Sequence, residues 1–304
     1  MKSDPHERLL RARESLEGLS VGDAFGDRYF VDTNIVASVI RKRALIAPPW
    51  VYSDDTEMAL SVYASLRRFG NVDQDFLANN FAARYSPSRG YGPAMHGLLH
   101  QIRLTVPWRA AAKQLFGGEG SFGNGAAMRV APIGAYFADD VEAAVLNARL
   151  SAEVTHAHPE AAAGAIAVAV AAALAYRLRD AAVPEPPEFL ELVRLHVPDS
   201  VVREKLRHAG NLAPGCSVEL AVSALGNGTQ ISAQDTVPFT LWCASRHLDN
   251  FEEALWLTVS GLGDRDTTCA IVGGVVASCT GLEGIPSQWR ASREPLPEWP
   301  FEDV

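Results

Sequence analysis

Cysteine is scarce in this chain of 304 residues, with single thiols at positions 216, 243, 269 and 279. Their wide spacing excludes a paired-cysteine zinc or redox motif, and so few thiols cannot staple a chain this long. Reduced, buried cysteines in a cytoplasmic protein are the expectation. Basic charge is also short: 27 Lys and Arg stand against 36 Asp and Glu, a net charge of -9. That balance argues against a general binder of nucleic-acid backbones, which would carry a basic face. A small anionic ligand needs only local donors and stays open. Long apolar runs are missing too. The longest, residues 161–175, is mostly alanine and falls short of the roughly 20 residues that span a bilayer. It reads as a close-packed core helix, and no membrane association is expected. Residues 1–13 are polar and mixed in charge, unlike a secretory leader. Alternating β-branched runs are absent, so no sheet can be defended.

What is present is helical periodicity. Met58, Val62, Leu66 and Phe69 form one stripe of a helix that starts at Asp54 and stops at Gly70. Leu9, Leu10, Leu16 and Leu19 mark an earlier helix, and Ala144, Leu146, Ala148 and Leu150 mark one running up to His156. Pro159 suits the first turn of the alanine-rich helix. Further helices are expected at 217–225, 236–247, 251–262 and 267–280. The most linker-like stretch is Pro184-Glu185-Pro186-Pro187, yet nothing beyond it looks self-sufficient. The expectation is an all-α protein, one compact domain over residues 1–304, monomeric, with higher assemblies left open.

Two acidic clusters carry the chemistry. Ser53-Asp54-Asp55-Thr56 and Asp264-Arg265-Asp266-Thr267 each put carboxylates beside a hydroxyl at a helix start. Either alone reads equally as a helix N-cap. Together they offer an oxygen-only donor set of the kind hard divalent cations take. Carboxylates packed this closely repel one another unless a cation lies between them. Three other segments join them. Gly22-Asp23-Ala24-Phe25-Gly26 ends the first helix with glycines where backbone must come close to something. Ser121-Phe122-Gly123-Asn124-Gly125-Ala126-Ala127-Met128-Arg129 reads as a glycine-rich loop entering a helix, able to aim N–H groups at a phosphate or to serve as a tight turn. Thr155-His156-Ala157-His158 puts histidines two apart, off a shared helix face, so a zinc pair is not expected.

Taken in their order along the chain, the five segments resemble the ADP-ribosylglycohydrolase family, over residues 16–289. The resemblance implies a compact all-α fold with a cleft holding two Mg²⁺ (or Mn²⁺). Ser53, Asp54 and Asp55 would ligate metal from one side, and Asp264, Asp266 and Thr267 from the other. Gly123, Asn124 and Gly125 would cradle the diphosphate and ribose of ADP-ribose, with Met128 behind them, His156 lining the ligand and Ile231 near the adenine. The implied activity is hydrolysis of the N- or O-glycosidic bond of ADP-ribosylated substrates, proteins or small molecules, with arginine-linked groups first. Asp55 is the expected proton-handling residue, beside Asp54. The alternatives are an ADP-ribose-binding module without turnover, or a hydrolase of a small ADP-ribosylated compound. Two departures from the family pattern stand out. Phe30 replaces a glutamate that many members place near the metals. Arg265 lies between the metal aspartates, where it would neutralise ligand phosphate or pair with a carboxylate.

Overall fold

The computed structural model describes residues 4–302, so residues 1–3 of the polar opening and the last two of the expected domain lie outside it. Among the described residues it is all helix and turn, with no strand and only isolated bridge pairings at Trp50–Arg293 and Gly123–Ser232. In chain order the helices are α1 (Pro5–Asp27), α2 (Thr33–Arg41), α3 (Asp54–Phe69), α4 (Gln74–Arg84), α5 (Pro93–Arg103), α6 (Trp108–Gln114), α7 (Ala131–Tyr136) and α8 (Val141–Glu153). The second half holds α9 (Pro159–Arg177), α10 (Pro186–Arg194), α11 (Val201–Gly210), α12 (Val218–Leu225), α13 (Ala233–Arg246), α14 (Phe251–Ser260), α15 (Arg265–Thr280) and α16 (Ser287–Ser292). The expected all-α class holds.

The core is organised by α1 lying against α15. Gly18, Gly22 and Gly26 recur every fourth residue, one ridge of α1. A methyl group on Gly22 would stand 2.1 Å from the Cys269 carbonyl oxygen, and one on Gly26 would stand 2.1 Å from the Arg265 oxygen. Gly273 returns the contact onto the Gly18 carbonyl. Only glycine lets two backbones approach this closely. The sequence reading placed the Gly22–Gly26 segment at the helix end. It forms the last turn of α1, which stops one residue later at Asp27, and it stays helical because packing on α15 outweighs glycine's weak helix propensity.

Around this pair the alanine-rich α9 packs on α7, α8, α13 and α15. Its 19 residues are long and apolar enough to cross a bilayer, longer than the run visible in the sequence, but most of that surface is buried inside the protein. The linker-like prolines also resolve differently. Pro186 and Pro187 open α10, a position where the missing N–H costs nothing, and α10 packs on α13 and α9. Beneath the C-terminus of α1, Phe25, Tyr29, Trp50, Trp256 and Trp289 form an aromatic cluster, with Phe25 stacked on Trp289 at 4.5 Å.

Candidate active site

Two helix starts face each other across the α1–α15 seam. Ser53 caps α3, its Oγ accepting from the Asp55 N–H at 3.2 Å, so Asp54 and Asp55 fill the first turn, where the helix dipole favours negative charge. Asp264 precedes α15 and Asp266 lies in its first turn. Between them sits Asp23 of α1. Its carboxylate accepts from the Ser53 N–H at 3.0 Å, from the Thr56 N–H at 3.0 Å and from the Thr56 hydroxyl at 2.5 Å. Asp55 Oδ2 accepts from the Ser53 hydroxyl at 2.8 Å and from the Thr267 hydroxyl at 3.3 Å. The two acidic clusters, far apart in the chain, are therefore in direct contact.

Five carboxylates converge here: Asp23, Asp54, Asp55, Asp264 and Asp266. Burial is the leading cause of a raised pKa in all five. Asp54 is pushed up to about 8, with repulsion from Asp23 next in weight. Asp55 and Asp266 stand well above the ordinary carboxylate range, each further raised by its acidic neighbours. Asp23 rises to about 6, restrained by the hydrogen bonds from Thr56 and Ser53. Asp55 Oδ1 is buried with no hydrogen-bond partner, an arrangement that costs free energy unless something cationic satisfies it. Oxygen-only donors, mutual repulsion and an orphaned carboxylate oxygen fit a hard divalent cation. Among the described residues no group of three or more His, Cys, Asp or Glu side chains is placed to hold a metal ion as it stands. The acids stand as a cluster, not a finished cage.

Above them opens a cleft of about 520 Å³, within the usual size of small-ligand sites. Asp54, Asp264, Asp266 and Thr267 form its floor. Ser53 and Asp55 lie beneath that floor, Asp55 being 1 % exposed. One wall is residues 121–125 with Met128 and His156, and Gly90 to Met95 face it across the opening. Glu57, one turn beyond Asp54, anchors that opposite wall by accepting from the Tyr91 hydroxyl at 2.6 Å and the Ser86 N–H at 3.0 Å.

The glycine-rich segment differs from the expected loop entering a helix. It makes one 3-10 turn, Asn124–Ala126, and α7 starts only at Ala131, so no helix dipole points at the cleft from it. Gly123 and Gly125 serve another need: a methyl on either would crowd the His156 ring at about 3 Å. Asn124 lines the cleft, and it also reaches below it. Its amide turns down to donate to Asp264 Oδ2 at 2.7 Å and Thr236 Oγ1 at 3.1 Å, tying the loop to the acidic floor. Met128 is buried and lines the cleft beside the loop. Ile231 is exposed at the rim with φ of 51°, a left-handed conformation rare for a β-branched residue, and its carbonyl accepts from the Asn124 N–H at 3.4 Å. His156 is buried at the end of the α8 turn, and burial first, then the Arg129 charge, lowers its pKa to about 3.

Arg265 does neither thing expected of it. Its Nη1 donates to the Tyr29 carbonyl at 3.0 Å and its guanidinium covers the Phe30 ring at 4.9 Å. As the first residue of α15 it faces the chain leaving α1, away from the cleft. Phe30 and Arg265, the two departures, are thus partners of each other.

Three functional features escaped the sequence reading. Asp23 was visible only as a member of a motif. Glu57 lay on the polar side of its helix without a signal of its own. Phe116 and Phe122 are exposed on the cleft rim, their rings 6.3 Å apart at 26°. Exposed aromatics beside glycines were the available clue.

A family model describing ADP-ribosylglycohydrolases matches residues 4–301. The chain is 30% identical to the ADP-ribosylhydrolase ARH3 of Homo sapiens, over 94% of this chain and 90% of that protein. It is 25% identical to the ADP-ribosylarginine hydrolase Tri1 of Pseudomonas putida, over 94% of this chain and 74% of that protein. A solved structure described as an ADP-ribosylglycohydrolase-related protein complex superposes with a TM-score of 0.67 at 24% identity, covering 95% of this chain and 93% of the other. That last likeness bears on the fold alone.

Proposed function

This chain belongs to the ADP-ribosylglycohydrolase family, a family of glycosidase-type hydrolases, and we propose that it removes ADP-ribose from arginine-linked substrates with the help of two divalent cations. The carrying observation is the convergence of five carboxylates, with the orphaned Asp55 Oδ1 among them, under a cleft of ligand size. Arginine-linked groups are put first because a relative over nearly the whole chain is named for that substrate.

Breaking the bond at the ribose anomeric carbon builds positive charge on the sugar and negative charge on the leaving atom. Ser53, Asp54, Asp55, Asp264, Asp266 and Thr267 would hold Mg²⁺ or Mn²⁺, which supplies an activated water and Lewis acidity. The protein's own part is positioning. Asn124 fixes Asp264, and Asp23 fixes the 53–56 turn. Phe116 and Phe122 offer flat apolar faces for a base. The proton-handling group must reach the leaving atom. Asp54 lines the cleft and Asp55 does not, so that role moves to Asp54, leaving Asp55 as ligand. The anionic floor also stabilises the oxocarbenium-like sugar.

Phe30, where many family members carry a glutamate, favours one rival: an ADP-ribose-binding module without turnover. Release of ADP-ribose from arginine-linked, serine-linked and small-molecule conjugates, with Mg²⁺ or Mn²⁺ and then with chelator, separates the readings. Cation-dependent release from the arginine conjugate is expected, reduced about 100-fold or more in Asp55→Ala. ADP-ribose binding by calorimetry without release of any conjugate would establish the module instead, and no binding at all would overturn both.

A further inference from the structure

Arg129 has no exposed surface and, among the described residues, no carboxylate among its hydrogen-bond partners, the Asp54 charge acting on it only from a distance. A buried, unpaired cation is costly. This one is solvated by the protein: Nη2 donates to the Ser151 carbonyl at 2.7 Å and to Thr155 Oγ1 at 2.9 Å, and Nη1 donates to the Gly125 carbonyl at 3.1 Å. The Phe81 ring lies against the guanidinium at 4.6 Å. One of those acceptors belongs to the cleft wall and another supports it from behind. Gly125 is in the glycine-rich segment, and Thr155 Oγ1 lies 2.7 Å from Nδ1 of the neighbouring His156.

The direction of that last hydrogen bond follows from counting protons. Thr155 Oγ1 accepts from Arg129, which can only donate. Among the described residues, the hydroxyl's own proton has one acceptor within reach, His156 Nδ1. Nδ1 must then be the bare nitrogen, and in a neutral imidazole the proton sits on Nε2. The nearby guanidinium and the ring's burial both oppose a second proton. Nε2 points where Gly123 and Gly125 lack side chains, 3.1 Å from where a β-carbon would sit on either, and has no partner among the described residues.

We propose that Arg129 is a positioning residue: acting through Thr155, it fixes His156 as the tautomer that donates its Nε2–H into the cleft. The ligand must therefore present a hydrogen-bond acceptor at that point, a phosphate or ribose oxygen and not a donor. This consequence rests on the ADP-ribose reading above. The tautomer does not.

Nitrogen NMR of the uniformly ¹⁵N-labelled, ligand-free protein reads the tautomer directly, with the His156→Gln spectrum assigning the signals. The wild type should show a bare Nδ1 and a protonated Nε2. Thr155→Val, which keeps the shape and removes the relay, should lose that fixed signature and bind ADP-ribose about tenfold more weakly, roughly 1.4 kcal/mol. Thr155→Ser should restore both. A protonated Nδ1 in the wild type would overturn the proposal even if Thr155→Val failed to fold. So would an unaltered spectrum in a folded Thr155→Val protein. If the wild type showed the expected tautomer but no affinity for ADP-ribose, the functional reading would fall and the relay would stand.

Discussion

Asp23 holds the first acidic cluster, and its charge also bears on Asp266, without lining the cleft. Its two oxygens take the Ser53 and Thr56 main-chain N–H groups and the Thr56 hydroxyl, so one carboxylate shapes the turn that presents Asp54 and Asp55. Asparagine at this position could keep Thr56 by turning its carbonyl there. Its NH₂ would then replace one of the two oxygens that share the Ser53 N–H and face that donor with another donor. We expect Asp23→Asn to lose about 1–3 kcal/mol of stability, the cost of an unsatisfied buried polar pair, partly offset by relief of repulsion with Asp54 and Asp55. A divalent cation should recover less of the variant's stability than of the wild type's, because the ligating turn is loosened. Urea denaturation with and without Mg²⁺ measures both. Equal curves for variant and wild type would remove Asp23 from the site.

Asp23 lies on α1 and Asp266 on α15, just after Asp264, and the glycine seam between these helices sets the distance between those acids. Gly22→Ala puts a methyl 2.1 Å from a backbone carbonyl that has no side chain to give way. The helices must part, at a cost of 1–3 kcal/mol or more for overpacking, about what misplaced core methylenes cost elsewhere. Gly97 in α5 is the control: nothing lies within 4 Å of an added methyl, so Gly97→Ala should be neutral or stabilise by up to about 1 kcal/mol. Thermal denaturation compares the two, and a harmless Gly22→Ala would refute the seam as the spacer. At this scale much was legible beforehand. The cap at Ser53, the stop at Gly70 and the close approach at Gly22 and Gly26 all leave local marks in the sequence. Helix α10 was hidden because Pro186 and Pro187 open it while also resembling a linker. The segment after Gly123 was read as entering a helix, yet only a 3-10 turn forms. The directions of Asn124 and Arg265 depend on Asp264 and on the Tyr29 carbonyl, neighbours more than a hundred residues away. No local pattern records such a partner.

Across the whole molecule the acidic site couples folding to pH and to cations. In the unfolded chain an aspartate gives up its proton near pH 4. In the fold, Asp54 holds its proton to about pH 8 and Asp23 to about pH 6, with Asp55 and Asp266 also raised. Between those limits these acids bind more protons in the folded state than in the unfolded one, so their contribution to stability is fullest below about pH 4 and falls as pH rises toward 8. His156 works the other way. It is neutral in the fold down to about pH 3 and protonates near 6.5 when unfolded, so its contribution is complete above pH 6.5 and lost as pH falls below it. From pH 6.5 to 8 the histidine is silent and the acids act alone. A divalent cation replaces those protons and stabilises the fold by mass action. At fixed Mg²⁺ the gain in melting temperature should therefore grow from pH 6.5 to pH 8, and should largely vanish in Asp55→Ala. A gain independent of pH, or one surviving in Asp55→Ala, would mean that the ion binds elsewhere and that the five carboxylates form no cation site.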